Sequence, residues 1–278
     1  MTTGYGDGSG RPRIGCSPRL IIAVLILLGG IGSYFFSTQK NPITGESQRV
    51  SLTPDQEIQL GLQTAPEMAA EMGGEMPASD RREQEVQSMG RRLASALPAN
   101  PYRFEFHLLA DPQTVNAFAL PGGQVFITEA LYGRLQDEAQ LAGVLGHEIG
   151  HVVHRHAAEQ MAHSKLYDSI VMATGVETGD QRAAAMAQYV AQLRSLKYSR
   201  TDELEADEWG LKLMPQIGYD PREMLGVMEI LKSLGGGGSE MLSTHPLPES
   251  RIERIKEYLE KTYPNGPPAN VSKGKPLP

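Results

Sequence analysis

Between Leu141 and His156 the chain reads LAGVLGHEIGHVVHRH, and four of its seven histidines fall inside this one stretch. Leu141, Leu145, Ile149 and Val152 recur at helical spacing, so the segment is predicted to fold as a helix with one buried apolar stripe and the histidines on its other side. On such a helix residues i and i+4 project from one face, which lets His147 and His151 aim ring nitrogens at a single ion. Glu148 is rotated about 100° from His147, where its carboxylate reaches a water on that ion without binding the ion itself. This H-E-x-x-H spacing suits metal-assisted hydrolysis: the metal acidifies and orients a water, Glu148 takes the proton, and a polarised carbonyl is attacked. Cys16 is the only cysteine. A thiolate site of the Cys-x-x-Cys type and a disulfide framework are therefore both excluded, and any metal must use histidine and carboxylate.

A catalytic metal of this kind needs a third protein ligand and an open position for water. The segment SRTDELEADEWG supplies Glu203 and Asp207, again i and i+4 on a predicted helix spanning Thr201 to Met214. Glu203 is suited to bind the metal, and Asp207, one turn on, to accept a hydrogen bond from the outer N–H of a ligating histidine. Glu205 and Asp202 are rivals that point to other faces. His154 lies i+3 from His151, but a fourth protein ligand would close the site, so His154 and His156 are read as surface residues or as partners of the ligands. His245, in LSTHPLPESRIERI, follows the run Gly235 to Gly238, a flexible hinge or loop. From the residues alone it stabilises a tetrahedral oxyanion, occupies the water position, or is an ordinary loop histidine.

The rest of the chain sets the context. A formal net charge of -7, with no basic tract interleaved with aromatics, excludes a nucleic-acid partner. LIIAVLILLGGIGSYFF, from Leu20 to Phe36, carries no charge and is long enough, at the lower limit of about 17–25 residues, to cross a bilayer. Arg11, Arg13 and Arg19 precede it, so residues 1–19 are expected to be a short disordered cytoplasmic tail, 20–36 an uncleaved signal-anchor, and all that follows extracytoplasmic. After a linker at 37–50, TPDQE gives Thr53 as N-cap, Pro54 at the first helical position and Gln56 as reciprocal cap. A second helix follows Ser79, with Val86, Met89, Leu93 and Leu97 at helical spacing. YRFEFHLL then alternates with period two, and VNAFALPGGQVFIT contains two extended runs around a Pro-Gly-Gly turn. Together they predict a small antiparallel sheet. Farther on, 181–196 is helical, DPRE at 220–223 reads as a capping box for a helix carrying Met224, Leu225, Met228 and Leu231, and a last helix carries Ile252, Ile255 and Leu259. The domain is expected to span 51–263, and the Pro/Gly-rich tail at 264–278 to be disordered.

Four blocks together, VNAFALPGGQVFIT, LAGVLGHEIGHVVHRH, LKYSRTDELEADEWG and STHPLPESRIERI, resemble in order and context the zinc metallopeptidase family that includes the CAAX prenyl protease, HtpX and the periplasmic BepA-like proteases. NPITGESQRV is similar to the segment that opens the domain in that family. The resemblance implies an α+β, mainly α, zincin-like (gluzincin) domain, preceded here by one transmembrane helix. It further implies one zinc per subunit on His147, His151 and Glu203, Glu148 as general base, Asp207 as buttress, and His245 and Arg251 as active-site support. The integral-membrane members have several spanning helices; here LYDSIVMATGV is too short and carries Asp168, which points to the single-domain periplasmic branch. The expected protein is thus a single-pass enzyme of the bacterial inner membrane, its catalytic domain on the periplasmic side, acting on unfolded or misassembled envelope proteins, with envelope assembly complexes as candidate partners. An extended substrate is expected to add as a strand along Asn116, Ala117, Phe118 and Ala119 or along Gln124 to Thr128, so that its main chain is recognised more than its side chains. Two other classes stay open at this point: a chaperone-like assembly factor with a structural or latent zinc, and a zinc hydrolase of non-peptide amides.

Overall fold

The computed structural model describes residues 28–29, 38–163, 188–193, 195–234, 240–246 and 249–278. The expected anchor at 20–36 lies outside them apart from Leu28 and Gly29, as do the glycine run at 235–238 and most of the expected helix at 181–196, of which 188–193 is helical. Among the described residues no helix is long and apolar enough to cross a membrane.

The domain is built around one helix. A short hairpin, β1 (Thr38–Lys40) with β2 (Ser47–Arg49), leads into α1 (Pro54–Glu71), which starts at the Thr53/Gln56 capping box read from the sequence. Helix α2 (Arg81–Ser95) is capped by Asp80, whose carboxylate accepts from Arg82 N at 2.8 Å, and it buries Val86, Met89 and Leu93. Strands β3 (Glu105–Leu109), β4 (Ala117–Ala119) and β5 (Gln124–Thr128) form a sheet in the order β3-β5-β4. After α3 (Glu129–Tyr132) comes α4 (Glu138–Val153), the helix that carries His147, Glu148 and His151.

The sheet departs from expectation in one pairing: β4 is antiparallel to β5, but β3 runs parallel to β5. Every residue of β5 is buried, so it is the central strand and needs a neighbour on each edge. The tight Pro121–Gly123 turn makes β4 one neighbour, antiparallel by necessity. The other edge is then filled by β3 after the connection at 110–116, in the parallel sense. Period-two alternation reports which face is buried and is silent on strand direction.

Helix α4 is buried on all sides beyond Glu138, so its apolar stripe is only part of its buried surface. It packs closely on α5 (Arg200–Gln216), which begins at the Ser199/Asp202 capping box. The closeness has a local cause. A Cβ at Gly150 would stand 2.7 Å from Ala206 Cα, and one at Gly146 3.0 Å from Gly210 Cα. Small residues on both helices let the backbones approach, and this brings the carboxylates of α5 within reach of the histidines of α4.

Among the described residues three further helices follow α5: α6 (Glu223–Ser233), the short α7 (Glu240–Thr244) and α8 (Glu249–Thr262). The expected capping box before α6 does not form as such. Asp220 instead accepts from Arg222 N at 2.9 Å and pairs with the Arg222 guanidinium, while Glu223 pairs with Lys273 Nζ at 2.8 Å. On α8 the buried positions are Arg251, Ile255 and Leu259, one per turn.

Both ends of α4 are tied down by distant segments. Past its C-terminus, Asn41 Nδ2 donates to Val153 O at 2.8 Å and Gln48 Nε2 to His154 O, so the β1–β2 hairpin satisfies carbonyls the helix leaves open. Arg155 follows in the left-handed region (φ 58°), and its buried guanidinium donates through Nε to Glu57 at 2.8 Å and through Nη2 to Leu52 O at 2.6 Å. At the N-terminus Asp137 caps Gln140 N, and two further N–H groups, of Glu138 and Ala139, donate at 3.0 Å to the carbonyls of Lys275 and Lys273. The tail after Tyr263, expected to be disordered, is therefore docked along this helix end. Its Pro/Gly content rules out a helix of its own but leaves its carbonyls free to serve one.

Candidate metal centre

The histidines of α4, a carboxylate of α5 and His245 meet in one buried cluster. His147 Nε2 and His151 Nε2 are 3.1 Å apart. Glu203 presents Oε2 at 3.6 Å from His147 Nε2 and Oε1 at 3.5 Å from His151 Nε2. His245 Nδ1 lies 3.3 Å from His147 Nε2 and 2.9 Å from Glu203 Oε1. A tetrahedral ion with ligand bonds of about 2.0–2.1 Å has edges of about 3.3–3.4 Å. The nitrogen and oxygen donors are thus spaced as the ligands of one such ion would be, and their chemistry fits a divalent first-row metal.

The surroundings hold these groups in place. Asp207 Oδ1 is 2.8 Å from His147 Nδ1, which leaves Nε2 for the cluster. Arg251 clamps the carboxylates: its Nε and Nη2 donate to Asp207 at 2.8 and 2.7 Å, and its Nη1 pairs with Glu203 Oε2. His245 is set by α7, whose Met241 N donates to Val115 O, just before β4, at 3.3 Å. The Tyr198 ring stacks on His151, centroids 3.9 Å apart, and was not singled out from the sequence, where only the LKYSRTDE context surrounds it.

Glu148 is fully buried, and among the described residues neither of its carboxylate oxygens has a hydrogen-bond partner, although His245 Nε2 stands 3.9 Å from Oε1. Burial raises its pKa, against the opposing pull of His245 and His147. For Glu203 burial pushes the same way, but His245, the His151 hydrogen bond and Arg251 overcome it and hold the carboxyl well below the usual range. Asp207 is likewise lowered despite burial, by Arg251 and His147. Burial depresses the His151 imidazole. His245 is raised, because Glu203 and Glu148 outweigh its burial. The two neighbouring carboxyls are thus shifted in opposite directions, Glu203 down and Glu148 up.

Of the residues predicted from sequence, His147, His151, Glu203, Asp207, His245 and Arg251 all converge here, with Glu148 beside them. Ala117, Phe118 and Ala119 form the outer strand of the sheet, with Asn116 just before it, and its outer edge is unpaired by any described strand. A narrow cavity of about 30 Å³ lies between this strand, Tyr198 and His245. His154 and His156 do not join the cluster but meet Glu205, on the far side of His151.

Comparison with known proteins agrees with this geometry. The chain is 31% identical over 245 residues to the mitochondrial metalloendopeptidase OMA1 of Schizosaccharomyces pombe, covering 86% of this chain and 71% of that protein. It is also 31% identical over 265 residues to the beta-barrel assembly-enhancing protease of Escherichia coli (strain K12), covering 88% of this chain and 53% of the relative. The corresponding protease of Yersinia pestis is 29% identical over 237 residues, 81% of this chain and 48% of its own length. The chain thus spans about half the length of these two bacterial relatives. The model of peptidase family M48 matches residues 80–259, a stretch that contains every member of the buried cluster together with Glu148, Asp207 and Arg251. With that match and these relatives, the chain belongs to peptidase family M48 and is a metalloprotease.

Proposed function

We propose that the protein is a membrane-anchored, zinc-dependent endopeptidase that cuts unfolded or misassembled envelope proteins. The observation that carries this reading is Glu148, a fully buried carboxylate with no hydrogen bond to either oxygen among the described residues, next to a donor set of two imidazoles and a carboxylate. Leaving such a group buried and unpaired costs about 1–3 kcal/mol or more, a cost that a catalytic role explains and a structural one does not.

His147, His151 and Glu203 would hold the zinc, with Asp207 and Arg251 fixing His147 and Glu203. Bound zinc supplies a Lewis acid that polarises the scissile carbonyl and acidifies water. Glu148 accepts the proton of the attacking water on a carboxylate oxygen and passes it to the departing amine nitrogen. The edge formed by Asn116, Ala117, Phe118 and Ala119 is suited to hold an extended peptide by main-chain hydrogen bonds, because Ala117 and Ala119 turn their side chains into the core. Leu20 to Phe36 would anchor the domain to the bacterial inner membrane on its periplasmic side. That assignment draws support from its apolar sequence and from relatives named for beta-barrel assembly and for mitochondria.

The test is digestion of an unfolded protein by the full chain, wild type beside Glu148→Gln, with zinc quantified in both. Equal zinc with cleavage lost by about 10²-fold or more is expected of the variant. Cleavage retained in Glu148→Gln would remove the general base from the mechanism.

One observation favours a second reading, a latent form. His245 is only 1% exposed and places Nδ1 against the donors of the cluster, and the cavity beside it has room for little more than a water. In that form His245 takes the position a water would need, and the segment carrying it moves before substrate enters. His245→Ala then raises cleavage, whereas a role in stabilising the oxyanion makes the same variant lower it.

A further inference from the structure

His151 faces the cluster with Nε2 and turns Nδ1 away from it, 2.8 Å from His156 Nδ1. His156 Nε2 is in turn 3.0 Å from Glu205 Oε2, and the same oxygen lies 3.3 Å from His154 Nδ1. The chain of contacts ends at Trp209, whose indole Nε1 donates to His154 Nε2 at 2.9 Å. His154, His156 and Glu205 also stand close enough together to serve as ligands of a second ion.

Proton positions decide between a second metal site and a support for the first. An indole nitrogen only donates, so His154 Nε2 carries a lone pair and its proton sits on Nδ1. A neutral His151 that offers Nε2 to a metal carries its own proton on Nδ1 and donates it to His156 Nδ1. His156 must then be protonated on Nε2, the nitrogen facing Glu205. His156 Nε2–H thus meets Glu205 Oε2, while His154 Nδ1 stands 3.3 Å from the same oxygen without a hydrogen bond to it, and neither histidine keeps a lone pair toward the place a second cation would occupy. A carboxylate suits that place; a cation does not.

We propose that His156 and Glu205 are positioning residues for His151, a histidine-carboxylate buttress matching the one Asp207 gives His147. The proposal rests on the reading of His151 as a metal ligand. Helix α5 supplies both supports from two i, i+4 pairs: Glu203 and Asp207 serve the His147 side, while Glu205 and Trp209 serve His156 and His154. The two buttresses differ in exposure. Asp207 is 2% exposed, whereas the Glu205 side chain is 37% exposed, so the support of His151 reaches the surface through a single intervening imidazole.

The experiment is zinc binding to the full chain in competition with a chelator, for wild type, Glu205→Ala, Glu205→Gln and Glu208→Ala. Glu208, also on α5 and paired with Lys212, controls for loss of one negative charge from the helix. One zinc per chain is expected throughout, bound about 10-fold or more weakly by Glu205→Ala and within a few-fold of wild type by Glu208→Ala. Glu205→Gln keeps an acceptor oxygen for His156 Nε2–H and should restore most of the affinity. Nitrogen-15 NMR of the zinc-loaded protein should show His156 protonated on Nε2 in wild type and lose that preference in Glu205→Ala. Equal affinity for wild type and Glu205→Ala, equal weakening by Glu208→Ala, or a second zinc that Glu205→Ala abolishes would each overturn the buttress while leaving the protease reading intact. A wild-type chain that binds no zinc overturns both.

Discussion

At the residue scale, the site is a problem in handling buried charge. Glu203 and Asp207 are two carboxylates taken almost wholly out of water, and Arg251, 1% exposed, is the cation that answers both. Removing one partner from such a group leaves the others uncompensated, which costs about 3–5 kcal/mol. Arg251→Leu is therefore expected to lower unfolding stability by about that amount in a denaturant titration and to weaken metal binding, because Glu203 loses the contact that fixes it. Loss of stability with unchanged metal affinity would confine Arg251 to a packing role. Most of this constellation was legible in the sequence, since i, i+4 spacing on two helices places His147 with His151 and Glu203 with Asp207 without knowledge of the fold. The Arg251 clamp came only through family resemblance, because nothing local in SRIERI distinguishes a buried arginine from an exposed one. Tyr198 and the His156–Glu205 contact were not legible, because their meaning depends on which elements face each other.

At the element scale, the starts of α1 and α2 were read well from their caps, the capping box expected at 220–223 did not form, and topology was read poorly. The Thr53/Gln56 box starts α1 as expected, and the helix predicted after Ser79 begins with Asp80 as its N-cap. The parallel pairing of β3 with β5 escaped, because alternation fixes faces and not direction. The close approach of α4 and α5 was written in the sequence as Gly146 and Gly150, four residues apart, a signal overshadowed by the histidines they flank. Asp80 gives a prediction at this scale. Arg82 holds its carboxyl at about 2, below the ordinary 3.8. A lowered acid contributes stability that is fully present above its unfolded value and is lost as pH falls through the folded one. The contribution of Asp80 should therefore be constant above about pH 4 and disappear between there and about pH 2. Asp80→Ala should lower the thermal midpoint at neutral pH, and the gap from wild type should narrow across that acid window; a gap independent of pH would remove the charge from the explanation.

At the scale of the whole molecule, helix α4 is held by segments remote from it in sequence: the β1–β2 hairpin at one end and the docked tail at the other. The tail was misjudged from composition, because Pro and Gly content argues against regular structure and says nothing about docking. Deleting residues 272–278 exposes or strands the N–H groups of Glu138 and Ala139, and each buried N–H left unpaired costs about 1–3 kcal/mol. The shortened chain should unfold at a lower denaturant midpoint than wild type, with slowed amide exchange lost first in the opening turn of α4; unchanged protection there would show that the tail is only an ornament of the surface. The docked tail also orders events in time. Synthesis runs from the N-terminus, so α4 leaves the ribosome long before the carbonyls of Lys273 and Lys275 that complete its first turn. The opening turn of the helix that carries His147, Glu148 and His151 is then completed only after this last stretch of the chain has been made.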